Sequence, residues 1–292
     1  MATGRSSNRK RRAKIELTIL SAFMVVALVV ICGISWRLHA ADRGETKVAV
    51  SVIGSSDDQI WDAVQQELDR RGDNIHIVLK PFQEANYVDQ VLANHEVDIS
   101  AAVTYAYLAN DVKINHYKLA VIGDTYISPM NLYSKRYKSP KNFPDGSKVA
   151  IPNNAINMGR ALKVLQQAGL IELKDPNAMT PNPEDIISNP KNLDIVQTDP
   201  AGIINLLPDY AGGVVNANFV IDAGMSVHEA IFTAPGDLTS PANHPYVNIL
   251  VAREEDKNNP TYKKVVDAYH TKAVADMTTK IYKGANVPVF KY

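Results

Sequence analysis

The chain opens on a polar, basic stretch and passes at Leu17 into an uncharged, mostly apolar run that ends at Trp36. At about 1.5 Å per residue, a helical run of this length crosses a hydrocarbon core about 30 Å thick. Past residue 40 the pattern changes to short β-rich runs alternating with helix-spaced ones. Residues 47–53 predict a strand, ended by Gly54-Ser-Ser-Asp-Asp58, a cluster suited to a turn and to capping a helix. Ile60, Trp61, Val64 and Leu68 then recur at helical spacing until Arg71-Gly72, a usual helix stop. Residues 75–79 predict a second strand, 87–94 a second helix, and 97–107 begin as a third strand. A βαβαβ succession of this kind implies a mostly parallel sheet, with the ligand crevice beyond the C-terminal strand ends.

A second unit follows Lys138-Ser-Pro-Lys-Asn-Phe-Pro-Asp-Gly146, which reads as a linker or long turn. Strands are expected at 148–151, 193–197 and 211–215, and a helix over 157–167 closed by Gly169. Residues 246–252 predict a further strand and 260–282 one or two amphipathic helices. The fold class expected is α/β, with two lobes: residues 48–140 together with 244–292 form the first, and 141–243 the second.

Charge alters the reading at one end only. Lys and Arg number 31, as do Asp and Glu, so no global field draws the molecule to nucleic acid. Six basic residues (Arg5, Arg9, Lys10, Arg11, Arg12 and Lys14) nevertheless lie in the first fourteen positions. With the apolar run behind them, residues 1–16 are read as a cytoplasmic segment, 17–36 as a signal or membrane anchor, and the remainder as extracytoplasmic. The sole cysteine, Cys32, lies inside the apolar run before Gly33, so a lipid anchor, an uncleaved span and cleavage near Ala41 all stay open. A single cysteine gives the exported region no internal disulfide.

Catalytic templates are missing: there is no Gly-x-Ser-x-Gly, phosphate loop, dinucleotide Gly-x-Gly-x-x-Gly or His-Glu-x-x-His. The histidines show no metal-ligand spacing, and His95-Glu96 and His228-Glu229 are read as turns, so neither a metal nor a cofactor is implied. The clearest local signal is Val149-Ala-Ile-Pro-Asn-Asn-Ala-Ile-Asn-Met-Gly-Arg-Ala-Leu162. There a strand ends, two asparagines turn the chain, and a helix starts near Asn157 with Arg160 about one turn in. Open amides at a helix start and a nearby guanidinium together suit a carboxylate, although Arg160 paired with a surface acid is the other reading.

This stretch, with Met130-Asn-Leu-Tyr133, Phe143-Pro-Asp-Gly146, Asn189-Pro-Lys-Asn-Leu193, Val215-Asn-Ala-Asn-Phe219 and Pro245-Tyr-Val-Asn-Ile249, resembles the NlpA/MetQ family of methionine-binding lipoproteins in order and spacing. The resemblance covers roughly residues 48–290. It implies a type II periplasmic-binding fold that closes over an amino acid and delivers it to an ABC permease and its ATPase at the membrane. Under it, Asn157 and Arg160 fall on the family's Asn-x-x-Arg for the ligand carboxylate, and Asn216 and Asn218 on its Asn-x-Asn for the ligand's polar end. The first lobe departs from the pattern. Methionine-binding members carry Asp-Ala-Asn-Phe-Phe-Gln-His-Ile-Pro-Tyr-Leu where this chain has Asp98-Ile-Ser-Ala-Ala-Val-Thr-Tyr-Ala-Tyr-Leu108. Tyr107 is kept, while Ala101, Ala102 and Thr104 replace two aromatics and a histidine. The side-chain pocket is therefore expected to admit a longer or more polar ligand, with Thr104, Tyr105 and Tyr107 offering hydroxyls, unless Tyr105 and Tyr126 fill the gap. A membrane-anchored interaction or sensor module and an enzyme on the same fold are the other classes the sequence leaves open.

Overall fold

The computed structural model describes residues 45–83, 85–234 and 238–292. The expected anchor at 17–36, the basic segment before it and Cys32 lie outside these residues. In chain order the first elements are β1 (Thr46–Ile53), α1 (Asp58–Arg71), β2 (Ile75–Phe82), α2 (Val88–Ala93), β3 (Ile99–Thr104), α3 (Tyr105–Asn115), β4 (Leu119–Ile127) and β5 (Met130–Tyr133). Next come β6 (Lys148–Pro152), α4 (Ala155–Gln167), the small hairpin β7 (Glu172–Leu173) and β8 (Ile186–Ser188), β9 (Asp194–Thr198), α5 (Ile203–Leu206), β10 (Gly212–Asn216) and α6 (Ala217–Asp222). The chain ends in β11 (Val247–Arg253), α7 (Pro260–Tyr269), α8 (Lys272–Ile281) and β12 (Val287–Pro288). Among the described residues no helix is long and apolar enough to cross a membrane.

Helix α1 forms where the apolar spacing places it: Ile60, Trp61, Val64 and Leu68 are all buried along one face. It stops at Gly72, whose φ of 70° is the left-handed value that glycine takes without steric penalty. That apolar face packs against α7 and α8, where Trp61 meets Tyr269 edge to face at 5.5 Å. The region expected to hold one or two C-terminal helices holds two, α7 and α8, and the strand before them, β11, returns to the first sheet.

Two sheets make the two lobes. The first has strand order β12-β4-β11-β3-β1-β2 and the second β5-β10-β6-β9. The expectation of a mostly parallel first sheet needs correction. β1 runs parallel to β3, but β11 is antiparallel to both β3 and β4, and β12 is antiparallel to β4. The cause is the returning C-terminal strand, which enters mid-sheet from the other lobe. The second sheet is parallel through β10, β6 and β9, with β5 antiparallel at one edge. The chain first crosses between sheets at Ser128-Pro129, where β4 ends in one and β5 begins in the other, ahead of the Pro/Gly-rich stretch from which a boundary at 140/141 was read.

Candidate ligand-binding site

A cleft lies where the two sheets face each other, lined from the second lobe by Asn154, Asn157, Arg160, Asn216 and Asn218. Helix α4 sets the first three. It begins at Ala155, with Asn154 as its cap, whose side chain accepts from the Asn157 amide at 2.9 Å. The start near Asn157 expected from sequence is thus two residues late, and one of the helix-end amides offered there to an anion is already taken by Asn154. Arg160 lies in the second turn of the same helix.

Arg160 Nη2 donates to the Ser128 carbonyl at 2.5 Å, and its guanidinium lies over the Tyr246 ring at 4.8 Å. No carboxylate pairs with it among the described residues, so the surface ion pair that would have explained it away is not made. Burial pushes its pKa down, to about 10, which leaves it cationic at neutral pH. A cation held by a backbone carbonyl and an aromatic face keeps donors for a planar acid. Beside it, Asn216 Nδ2 reaches Asn157 Oδ1 at 3.5 Å, while Asn216 Oδ1 is buried without a partner. An orphan acceptor of this kind costs roughly 1–3 kcal/mol unless something else donates to it. Asn218 lies one residue into α6, on the same wall.

The first lobe supplies Ala101, Ala102, Thr104 and Tyr107. Thr104 caps α3 by accepting from the Tyr107 amide at 3.3 Å, and the Tyr107 hydroxyl donates to Asn86 at 3.1 Å. Tyr105 is a correction. It does not line the cleft: its hydroxyl donates to Asp124 at 2.6 Å and its ring stacks on His244 at 4.7 Å. Thr104 ends the strand, so the next side chain starts a helix and leaves on a different bearing. Reading the sequence left out Asp57 and Asn248 as cleft residues, and it took Tyr126 only as filler. Asp57 stood in a capping cluster and gave no signal of burial, and Asn248 is one polar residue inside the apolar strand β11.

Among the described residues, no group of three or more His, Cys, Asp or Glu side chains could hold a metal ion. The cleft lining contains one acid, Asp57, and neither histidine nor cysteine.

A two-lobed α/β molecule with a polar interlobe cleft is the architecture of a type II periplasmic solute-binding protein. The model of the NlpA lipoprotein family matches residues 47–290, and the chain belongs to that family. A relative named as a probable D-methionine-binding lipoprotein MetQ, from Pasteurella multocida, is 33% identical over 242 residues, covering 82% of this chain and 85% of that protein. An ABC-transporter periplasmic substrate-binding protein from Coxiella burnetii superposes with a TM-score of 0.75 at 34% identity, over 83% of this chain and 100% of that one. A nutrient-binding protein from Burkholderia cenocepacia, solved bound to methionine, gives 0.76 at 33% identity over 83% and 100%.

Proposed function

We propose that the protein is the extracytoplasmic substrate-binding component of an ABC importer, taking an amino acid between its lobes and handing it to a permease with its ATPase. The observation that carries this is Arg160, a cleft guanidinium with no acid partner among the described residues, in a cleft shared with the unpartnered Asn216 Oδ1. In this reading Arg160 and Asn157 take the α-carboxylate, and Asn216 and Asn218 take the remaining polar atoms of the amino-acid head. The ligand arm points to the first lobe, where the small residues Ala101, Ala102 and Thr104 line the cleft and Tyr107 offers a hydroxyl edge. Binding, with no chemical step, is the whole activity proposed.

The titration of full-length protein with L-methionine, D-methionine, methionine-containing dipeptides, cystine and branched amino acids tests the assignment. Small residues in place of aromatic walls remove apolar contact, valued at about 25 cal/mol per Å², so a thioether arm loses a few kcal/mol there. A longer or more polar ligand is expected to bind tighter than L-methionine. Nanomolar L-methionine binding, tighter than every other member, would return the pocket to the relatives' ligand.

The basic start and apolar run support a tether at the membrane with the bulk of the protein outside. External protease is expected to reach the domain in intact cells. Cys32→Ser tests the lipid anchor: if membrane retention and electrophoretic mobility stay as they were, the uncleaved span is the tether, and release into the medium identifies the lipid.

A further inference from the structure

Asp57 immediately precedes α1, where an aspartate ordinarily turns its carboxylate back onto the first amides of the helix. Here no such cap bond forms. The carboxylate turns toward the cleft wall instead, where Oδ2 accepts from the Tyr126 hydroxyl at 2.5 Å and Oδ1 from the Tyr282 hydroxyl at 2.7 Å. Both Asp57 and Tyr126 line the cleft. An ionised carboxylate has about four acceptor sites, so two phenols leave roughly half of them open.

Among the described residues, no cation is found acting on Asp57. The charges acting on Asp57 are two further acids, Asp222 at the end of α6 and Asp58 beside it, and burial together with these acids raises its pKa. Tyr126, Tyr269 and Tyr282 complete the group, their own hydroxyls held protonated first by burial and then by the Asp57 charge. A carboxylate placed against a cleft with neutral donors only is costly to the empty protein, and a cation arriving with the ligand offsets that cost. Its place in the cleft says which part of the ligand brings the cation. The head-reading groups Arg160, Asn157 and Asn216 all sit in the second lobe, whereas Asp57 belongs to the first, with Ala101 packed against the apolar cluster that contains Tyr126 and Tyr282.

We propose that Asp57 takes a cationic nitrogen on the arm of the ligand, which makes the solute an amino acid bearing a second, protonated amine. This rests on the reading that the second lobe grips an amino-acid head. Arg160 and Asp57 then hold the two ends of one molecule, and the space left by Ala101 and Ala102 is the path of the arm between them.

Matched probes separate the two ends. L-Lysine and L-norleucine differ at the tip of the arm, and L-methionine and its deaminated acid differ at the head. Calorimetry on the full-length chain is expected to show lysine at least about tenfold tighter than norleucine, and Asp57→Asn to bring the two within about threefold. Methionine and its deaminated acid should keep their ratio in that variant. The melting midpoint of ligand-free Asp57→Asn should be equal to or above the parent's, since a buried charge has gone. A purely structural aspartate gives the opposite: a lowered midpoint with the lysine preference intact, which overturns the proposal. It is also overturned if Asp57→Asn changes the methionine pair instead, because the carboxylate then reads the α-amine. If Asp57→Asn binds every probe as the parent does while Arg160→Ala binds none, Asp57 is out and the amino-acid reading stands. A parent that binds no probe removes both.

Discussion

Arg160→Ala is expected to abolish solute capture and leave the melting midpoint of the ligand-free chain nearly unchanged. Removing one partner of a desolvated, hydrogen-bonded charge pair costs about 2–5 kcal/mol, or roughly 30- to 5000-fold in affinity, because the ligand carboxylate enters the cleft unpaired. The fold survives because the guanidinium makes one backbone bond, to Ser128, and stacks on Tyr246, with no acid left stranded by its loss. Arg160→Lys recovers charge but not the planar fork, so it should regain only part of the affinity. Calorimetric binding by the alanine variant within about threefold of the parent would remove Arg160 from the site.

The second large effect falls on stability, at Arg253. This side chain, 7% exposed at the end of β11, donates to Leu92 and Val97 carbonyls at 3.0 and 2.7 Å, to Asp256 at 2.6 Å and to the Tyr262 hydroxyl at 3.3 Å. Asp98, 3.9 Å from it, is held in turn by the Ala49 amide and Tyr262. Arg253 therefore ties the start of β3 and the end of α2 to the C-terminal strand. Arg253→Met keeps the apolar stem but takes the guanidinium from the Val97 carbonyl and the Asp256 carboxylate, while Leu92 keeps the His95 amide and Asp98 keeps Ala49 and Tyr262; breaking a buried pair costs up to about 3–5 kcal/mol. At about 2–4 °C per kcal/mol for a domain of this size, the midpoint should fall by up to roughly 6–20 °C. A scanning-calorimetry shift smaller than about 2 °C would show that water already serves those groups.

Which parts of this molecule could be read beforehand follows from how each is held together. Helix α1 was legible because one buried face imposes a helical repeat, and Ile60, Trp61, Val64 and Leu68 carry it. Strand β4 was not. Half-buried at each successive residue over 119–124 and interrupted by Gly123 and Asp124, it shows no alternation. At Gly123 a β-carbon would sit 3.0 Å from a Val266 methyl of α7, a tight contact set by tertiary packing. The parallel order expected of the first sheet failed for a related reason: between β3 and β4 lies β11, far along the chain and antiparallel to both. In the cleft, Asn157 and Arg160 were legible because strand, turn and helix start are contiguous. Asn216 and Asn218 came from family likeness alone. Asp57 does stand at the cap position of α1, but its bonds to Tyr126 and Tyr282 were not legible because those tyrosines lie in β4 and just beyond α8.

Arg160 and Ser128 carry one last implication. The side chain proposed to grip the solute is bonded to the carbonyl of the two-residue link at which β4 leaves one sheet and β5 enters the other. Under the proposed function, a carboxylate arriving at Arg160 meets a side chain already bonded to that link, so the group that grips the solute and the point where the chain passes between the sheets form one connected unit.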